Sequence, residues 1–167
     1  MSAFEDAVIQ RIKQLEREVE RLQKWERAAY VWQSYTPTWT ATTTNPSIGN
    51  GTLAGRYVRY GNVCTYILKL LAGSTTTFGS GNWSFSLPLN AANNAGLEFI
   101  GVAHMREAGV GYYERTVRIV PSGSSNDKVS HFVALEAGTT SERLSSTVPF
   151  TWGNLDLLSF EITYEIA

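Results

Sequence analysis

Leu158-Ser159-Phe160-Glu161-Ile162-Thr163-Tyr164-Glu165-Ile166, near the C-terminal end of the 167 residues, decides the fold class. Every second side chain is apolar, and the ones between are Ser, Glu or Thr. Successive side chains of a strand point to opposite faces, so this alternation specifies a strand with one buried and one wet face. A helix would need apolar positions three and four apart. The strand spans Asp156–Ile166.

Working back from it, segments of the same kind recur at Tyr35–Thr40, Gly55–Tyr60, Asn62–Leu71, Asn82–Leu87, Leu97–His104, Tyr112–Val120 and Lys128–Leu135. All are rich in β-branched and aromatic residues, and turn residues punctuate them. Tyr60-Gly61-Asn62 reads as a hairpin turn and Pro121 to Asp127 as a polar loop. Ile48-Gly49-Asn50-Gly51 supplies a tight turn where positive φ is cheap. Gly79-Ser80-Gly81 reads as a loop tip, and Pro88 stops the strand before it because it has no N–H to donate. Gly55 and Gly61 bracket a strand whose Tyr57 and Tyr60 are expected to cap a hydrophobic face. Short strands at this spacing, with no helical pattern among them, predict an antiparallel β-sandwich or jelly roll over 31–167.

Residues 1–30 obey other rules. They hold a dense run of Glu, Arg and Lys with no Gly or Pro, and their apolar residues fall at Val8, Ile12, Leu15, Val19 and Leu22. Steps of four, three, four and three make the narrow stripe of a coiled-coil seam, with Ile12 and Val19 at a and Val8, Leu15 and Leu22 at d. Ser2 with Glu5 forms a capping box. From Ala3 to Arg27 the helix would run about 37 Å at ~1.5 Å per residue. Such a helix is marginal alone and needs partners; the bland alternative lays it on its own domain.

Arg11-Ile12-Lys13-Gln14-Leu15-Glu16 resembles the trimerisation motif of short coiled coils, which implies three strands. With Arg11 at g and Glu16 at e, the Arg11 stem would cover the seam while its guanidinium pairs with a neighbouring chain's carboxylate. β-branched a with Leu at d leans towards a dimer, but the motif favours the trimer. The predicted trimerisation set is Val8, Arg11, Ile12, Leu15, Glu16, Val19 and Leu22.

Little in the chain suggests chemistry. The formal net charge is -1, with no basic run for a polyanion, so no nucleic acid is expected. No segment approaches the ~20 apolar residues of a membrane helix. Met1 to Gln10 lacks the features of a signal peptide, so a soluble cytoplasmic product is expected, unless lysis or a particle carries it out. The lone Cys64 sits in an apolar stretch and reads as a buried thiol. His104 and His131 have no second His or Cys at metal spacing. Glu98, Glu107, Glu114, Asp127, Glu136, Asp156 and Glu161 are scattered and read mostly as solvated charges. Arg115 and Arg118 with Glu114 suggest a charged outer face. No catalytic residue, cofactor or metal is expected, and the chain does not read as an enzyme.

Aromatics carry what recognition signal there is. Trp25, Tyr30, Trp32, Tyr35 and Trp39 cluster at the junction, where they are expected to plug the base of the trimer. Tyr112 and Tyr113, after Gly109-Val110-Gly111, are the candidate surface contact, since one of two consecutive strand residues must face away from the core.

The stretch from Tyr35 to Pro88 is the most distinctive. It contains Tyr35-Thr36-Pro37-Thr38-Trp39, Asn45-Pro46-Ser47-Ile48-Gly49-Asn50-Gly51, Gly55-Arg56-Tyr57 and Thr75-Thr76-Thr77-Phe78-Gly79-Ser80-Gly81-Asn82-Trp83-Ser84-Phe85-Ser86-Leu87-Pro88. It resembles a module of tail-associated and other minor structural proteins of bacteriophages, especially those of actinobacteria. The resemblance implies a virion structural protein: a tail fibre or tip (minor tail) protein presenting trimeric β heads, with receptor binding at a host cell-surface glycan or protein. The alternative is a capsid decoration or head-fibre trimer that stabilises the shell. A glycan-degrading tailspike would show a longer β-helical or barrel domain and a carboxylate cleft, and the pattern has neither. The expected partners are the chain itself, as a homotrimer, and other virion proteins through the N-terminal region.

Overall fold

The computed structural model describes residues 3–29, 31–93, 97–120, 128–129, 131–133 and 143–167, with the backbone alone at 25–29, 128–129 and 131–133. Among the described residues one helix, α1 (Ala3–Ala29), precedes ten strands: β1 (Gln33–Tyr35), β2 (Trp39–Ala41), β3 (Thr52–Tyr60), β4 (Val63–Leu71), β5 (Trp83–Ser86), β6 (Phe99–Glu107), β7 (Gly111–Ile119), β8 (Lys128–Val129), β9 (His131–Val133) and β10 (Leu157–Glu165). Glu5 and Asp6 lie in the first turn of α1, where negative charge suits the helix dipole. The expected cap Ser2, the loop Pro121 to Asp127 and the side chains of Trp25 and Tyr30 lie outside the described residues.

The strands form two antiparallel sheets. The large one has seven strands in the order β1-β3-β4-β10-β6-β7-β9, and the small one has three in the order β2-β5-β8. The alternating C-terminal stretch is the centre of the large sheet. β10 pairs with β4 along its whole length, from Leu157↔Leu71 to Glu165↔Val63, and with β6 from Leu157↔Arg106 to Glu161↔Val102. Leu158, Phe160, Ile162 and Tyr164 are buried, while Glu161, Thr163 and Glu165 are exposed. Neighbouring strands come from two local hairpins, β3–β4 and β6–β7, which the last strand joins. Gly61 takes φ 56° in the two-residue β3–β4 loop, as that turn requires of its first residue.

The sheets face each other across one apolar core. Phe85 of β5 packs against Phe160 of β10 at 6.0 Å, and Trp39 and Trp83 meet edge to face at 4.7 Å. Leu68, Leu70, Met105, Val117, Phe150 and Trp152 complete the layer.

Trp39 and Tyr35 therefore belong to the head, not to a trimer plug: Trp39 is buried, and the Tyr35 hydroxyl donates to the Leu87 carbonyl at 2.9 Å. The expected strand Tyr35–Thr40 is broken in the same place. Its halves lie in different sheets, because Pro37 cannot donate to a ladder and the chain crosses there from one layer to the other. Lys128–Leu135 likewise divides into β8 and β9, one in each sheet, with Ala134 and Leu135 outside the described residues.

The distinctive module is a clasp between two loops. Ser47 and Thr77 exchange backbone hydrogen bonds at 2.9 and 2.8 Å, and Thr44 and Ser80 do so at 3.1 and 3.0 Å. The Asn50 carboxamide accepts from the Thr75 amide at 3.0 Å and donates to Ser74 Oγ at 3.0 Å. Gly79-Ser80-Gly81 is consequently docked rather than a free tip. Gly49 (φ 57°) turns the first loop so tightly that a Cβ there would collide with Thr75. These residues specify structure.

Candidate functional site

Among the described residues, two surfaces stand out beyond the core. The first is the stripe on α1. Val8, Ile12, Leu15, Val19 and Leu22 are between 41% and 55% exposed, so the head does not cover them. Arg11 donates to Gln14 at 3.0 Å within the helix, and the Glu16 side chain is also exposed. The stripe does not lie on its own domain.

The second surface is the outward face of the large sheet. Strand registers align Ala54, Lys69, Ser159, His104 and Glu114 in one row across β3, β4, β10, β6 and β7, and Arg56, Ile67, Glu161, Val102 and Thr116 in the next. A groove of about 900 Å³ runs over both rows, so the face is concave there. Its floor is largely apolar, with Val102 67% exposed. At its β7 side the Tyr112 ring stacks on the groove-lining His104 at 5.5 Å, and at its β3 side the Arg56 guanidinium lies 5.9 Å from the Trp32 ring.

The structure separates the two candidate tyrosines. Tyr112 is 71% exposed on the outward face. Tyr113 points to the inner side, 4.9 Å from Phe150, and donates to the Glu107 carboxylate at 2.9 Å. That hydrogen bond to a carboxylate, which would repel a phenolate, raises the Tyr113 pKa. Arg115 shares the inner parity and lies over the Tyr113 ring, so it does not belong to the charged outer face; Arg118 does, paired with Glu98 at 2.9 Å. Tyr57 and Tyr60 also part company. Tyr57 packs against the core while Tyr60 is exposed, because an interval of three residues puts them on opposite faces.

Other expectations resolve individually. Cys64 is buried, and burial pushes its thiol pKa up. Asp156 is 3% exposed and structural: its carboxylate accepts from the Ala108 amide at 2.8 Å and the Gly153 amide at 2.6 Å, tying the β6–β7 loop to the turn before β10. Sequence reading counted it among solvated charges because nothing local marks an aspartate whose partner lies 48 residues away. The side chain of His131 and the residues Asp127 and Glu136 lie outside the described residues. Among the described residues no three of His, Cys, Asp and Glu gather as a metal would need, and no helix is long and apolar enough to cross a membrane.

Sequence reading found Tyr112 through the alternation rule but missed Lys69, His104, Glu114 and Glu161 as a group. Glu161 was legible as wet-face. Its neighbours depend on register across five strands, which no single segment encodes.

The chain is similar to the Mu-like prophage FluMu defective tail fiber protein of Haemophilus influenzae, with 35% identity over 123 residues, which is 73% of this chain. The chain spans about a fifth of that protein, 18% of its length. No family model and no solved structure matches the chain. The likeness supports a phage tail-associated protein; it carries nothing specific to actinobacteria.

Proposed function

We propose that the chain is a tail-associated structural protein of a phage particle, in which α1 forms a three-stranded coiled coil and presents three β heads to the host envelope. The observation that carries the tail reading is the identity to a tail fibre protein. The bare seam supports the assembly: five aliphatic side chains at heptad spacing stay exposed on a helix of 27 residues, and such a stripe is normally covered by another helix. Threefold display would raise apparent affinity for a repetitive cell surface about a hundredfold or more where geometry permits. The capsid-decoration alternative uses the same trimer, and the tail fibre likeness weighs against it.

Two measurements test the proposal. Light scattering should give three chains per particle for the wild type, and the double substitution Ile12→Asp, Leu15→Asp should give monomers with intact near-UV signals from the head. A monomeric wild type would refute the coiled coil. Purified oligomer should compete with phage for adsorption to host cells; a folded trimer that leaves adsorption unchanged would refute the receptor-facing role and return the protein to the shell or to a purely structural position.

A further inference from the structure

We propose that the outward groove of the large sheet binds a neutral oligosaccharide lying across the strands, with Trp32 and Tyr112 as stacking platforms at its two ends. The proposal rests on the receptor-facing reading above and names the ligand class and the place.

Charge selects the class. Arg56 and Lys69 line the β3–β4 half of the groove, and Glu114 and Glu161 line the β10–β7 half. Arg115 also borders the groove, but its side chain turns inward over the Tyr113 ring. The two cations and two carboxylates that remain on the face cancel, so a polyanion gains little and meets two repelling groups. Among the described residues none of these four side chains has an ion pair or hydrogen bond, although they share one concave face. Charged donors and acceptors left unused side by side suit a ligand that offers both, which is what sugar hydroxyls do.

The apolar parts agree. Ile67, Val102 and Ala54 sit between the charges, giving the C–H faces of pyranose rings a surface to cover. Aromatic rings are the usual partners of those faces, because they combine a flat apolar body with low side-chain entropy. Trp32 and Tyr112 are the rings at hand, and each already stacks on a groove-lining side chain. β3 and β7 are four strand spacings apart in the sheet order, about 19 Å at ~4.8 Å per spacing, room for a short run of sugar rings.

A protein occupant fits less well. Interface cores are depleted of charge, and covering four charges that form no ion pair among themselves with a second protein surface incurs their desolvation. A saccharide replaces water with hydroxyls and leaves the charged heads partly wet.

The test titrates cellohexaose, chitohexaose, laminarihexaose and mannohexaose into the full chain, following tryptophan emission and backbone amide shifts. The expected result is binding to at least one, with shifts confined to β3, β4, β10, β6, β7 and the Trp32 indole. Tyr112→Ala and Lys69→Met, both surface changes, should each weaken it about tenfold or more. No binding at the solubility limit of all four overturns the site, as does binding that both variants leave unchanged. Tighter binding of hyaluronan than of any neutral chain would also overturn it. Amide protection of this face in the wild-type oligomer but not in the Ile12→Asp, Leu15→Asp variant would show that a second copy covers it, and would overturn it too. An oligomer that blocks adsorption yet binds none of the four refutes this site while leaving the receptor-facing reading standing.

Discussion

Removing the Asp156 carboxylate tests how the β6–β7 hairpin is held to the turn before the central strand. The side chain is buried and accepts two backbone N–H groups, from Ala108 at 2.8 Å and from Gly153 at 2.6 Å. Hydrogen bonds to a charged group are worth about 1.5–3 kcal/mol each, and a buried donor left unpaired costs a further share. Asp156→Ala removes both acceptors but also relieves the desolvation of a carboxylate, so the net loss should fall near 3 kcal/mol. Asp156→Asn keeps one acceptor and turns its amide against the other N–H, for about 2 kcal/mol. For a chain of this size each kcal/mol lowers Tm by about 2–4 °C, which predicts a fall of roughly 6–12 °C for the alanine variant. Thermal unfolding followed by near-UV circular dichroism measures it, with both proteins at the same concentration because an oligomer's Tm depends on concentration. Hydrogen exchange should also show the Ala108 and Gly153 amides losing protection first. An alanine variant within about 0.5 kcal/mol of the wild type, or unchanged protection at those two amides, would show that Asp156 does not hold this loop in place.

Gly55→Ala should destabilise the head by about 1–3 kcal/mol, because a Cβ there would lie 2.7 Å from the Tyr66 ring; restoration of stability in the double variant Gly55→Ala, Tyr66→Leu would confirm the collision, and equal losses in both would contradict it. The fold should weaken in alkali: burial raises the pKa of Tyr66, Tyr164 and Cys64 in the folded chain. A raised folded pKa means stability is complete below the ordinary values, about 8.5 for Cys and 10 for Tyr, and is lost as pH climbs past them. Phenolate absorbance from the two buried tyrosines should therefore appear together with loss of near-UV ellipticity, and ionisation of both in a fully folded chain would count against their burial.

Local chemistry carried much of this protein. The period-two run from Leu158 to Ile166 specified a half-buried strand because side-chain alternation is a property of the backbone itself, and the structure makes that strand the middle of the large sheet. Gly61 and Gly49 announced their turns because only a residue without Cβ takes positive φ freely. The narrow stripe of α1 separated the helix from the head, and its exposure follows from the same spacing.

The relations between distant segments came from packing. It placed Trp39 and Tyr35 in the head's core, split the expected strand around Pro37 between two sheets, and turned Asp156 from a solvated charge into a buried clamp. It also gathered Arg56, Lys69, His104, Glu114 and Glu161 on one concave face. Each of these depends on which strands pair and in what register, and that is settled by the packing of both sheets at once. A pattern within ten residues states which face of a strand is wet; the neighbours it meets on that face are chosen by the rest of the chain.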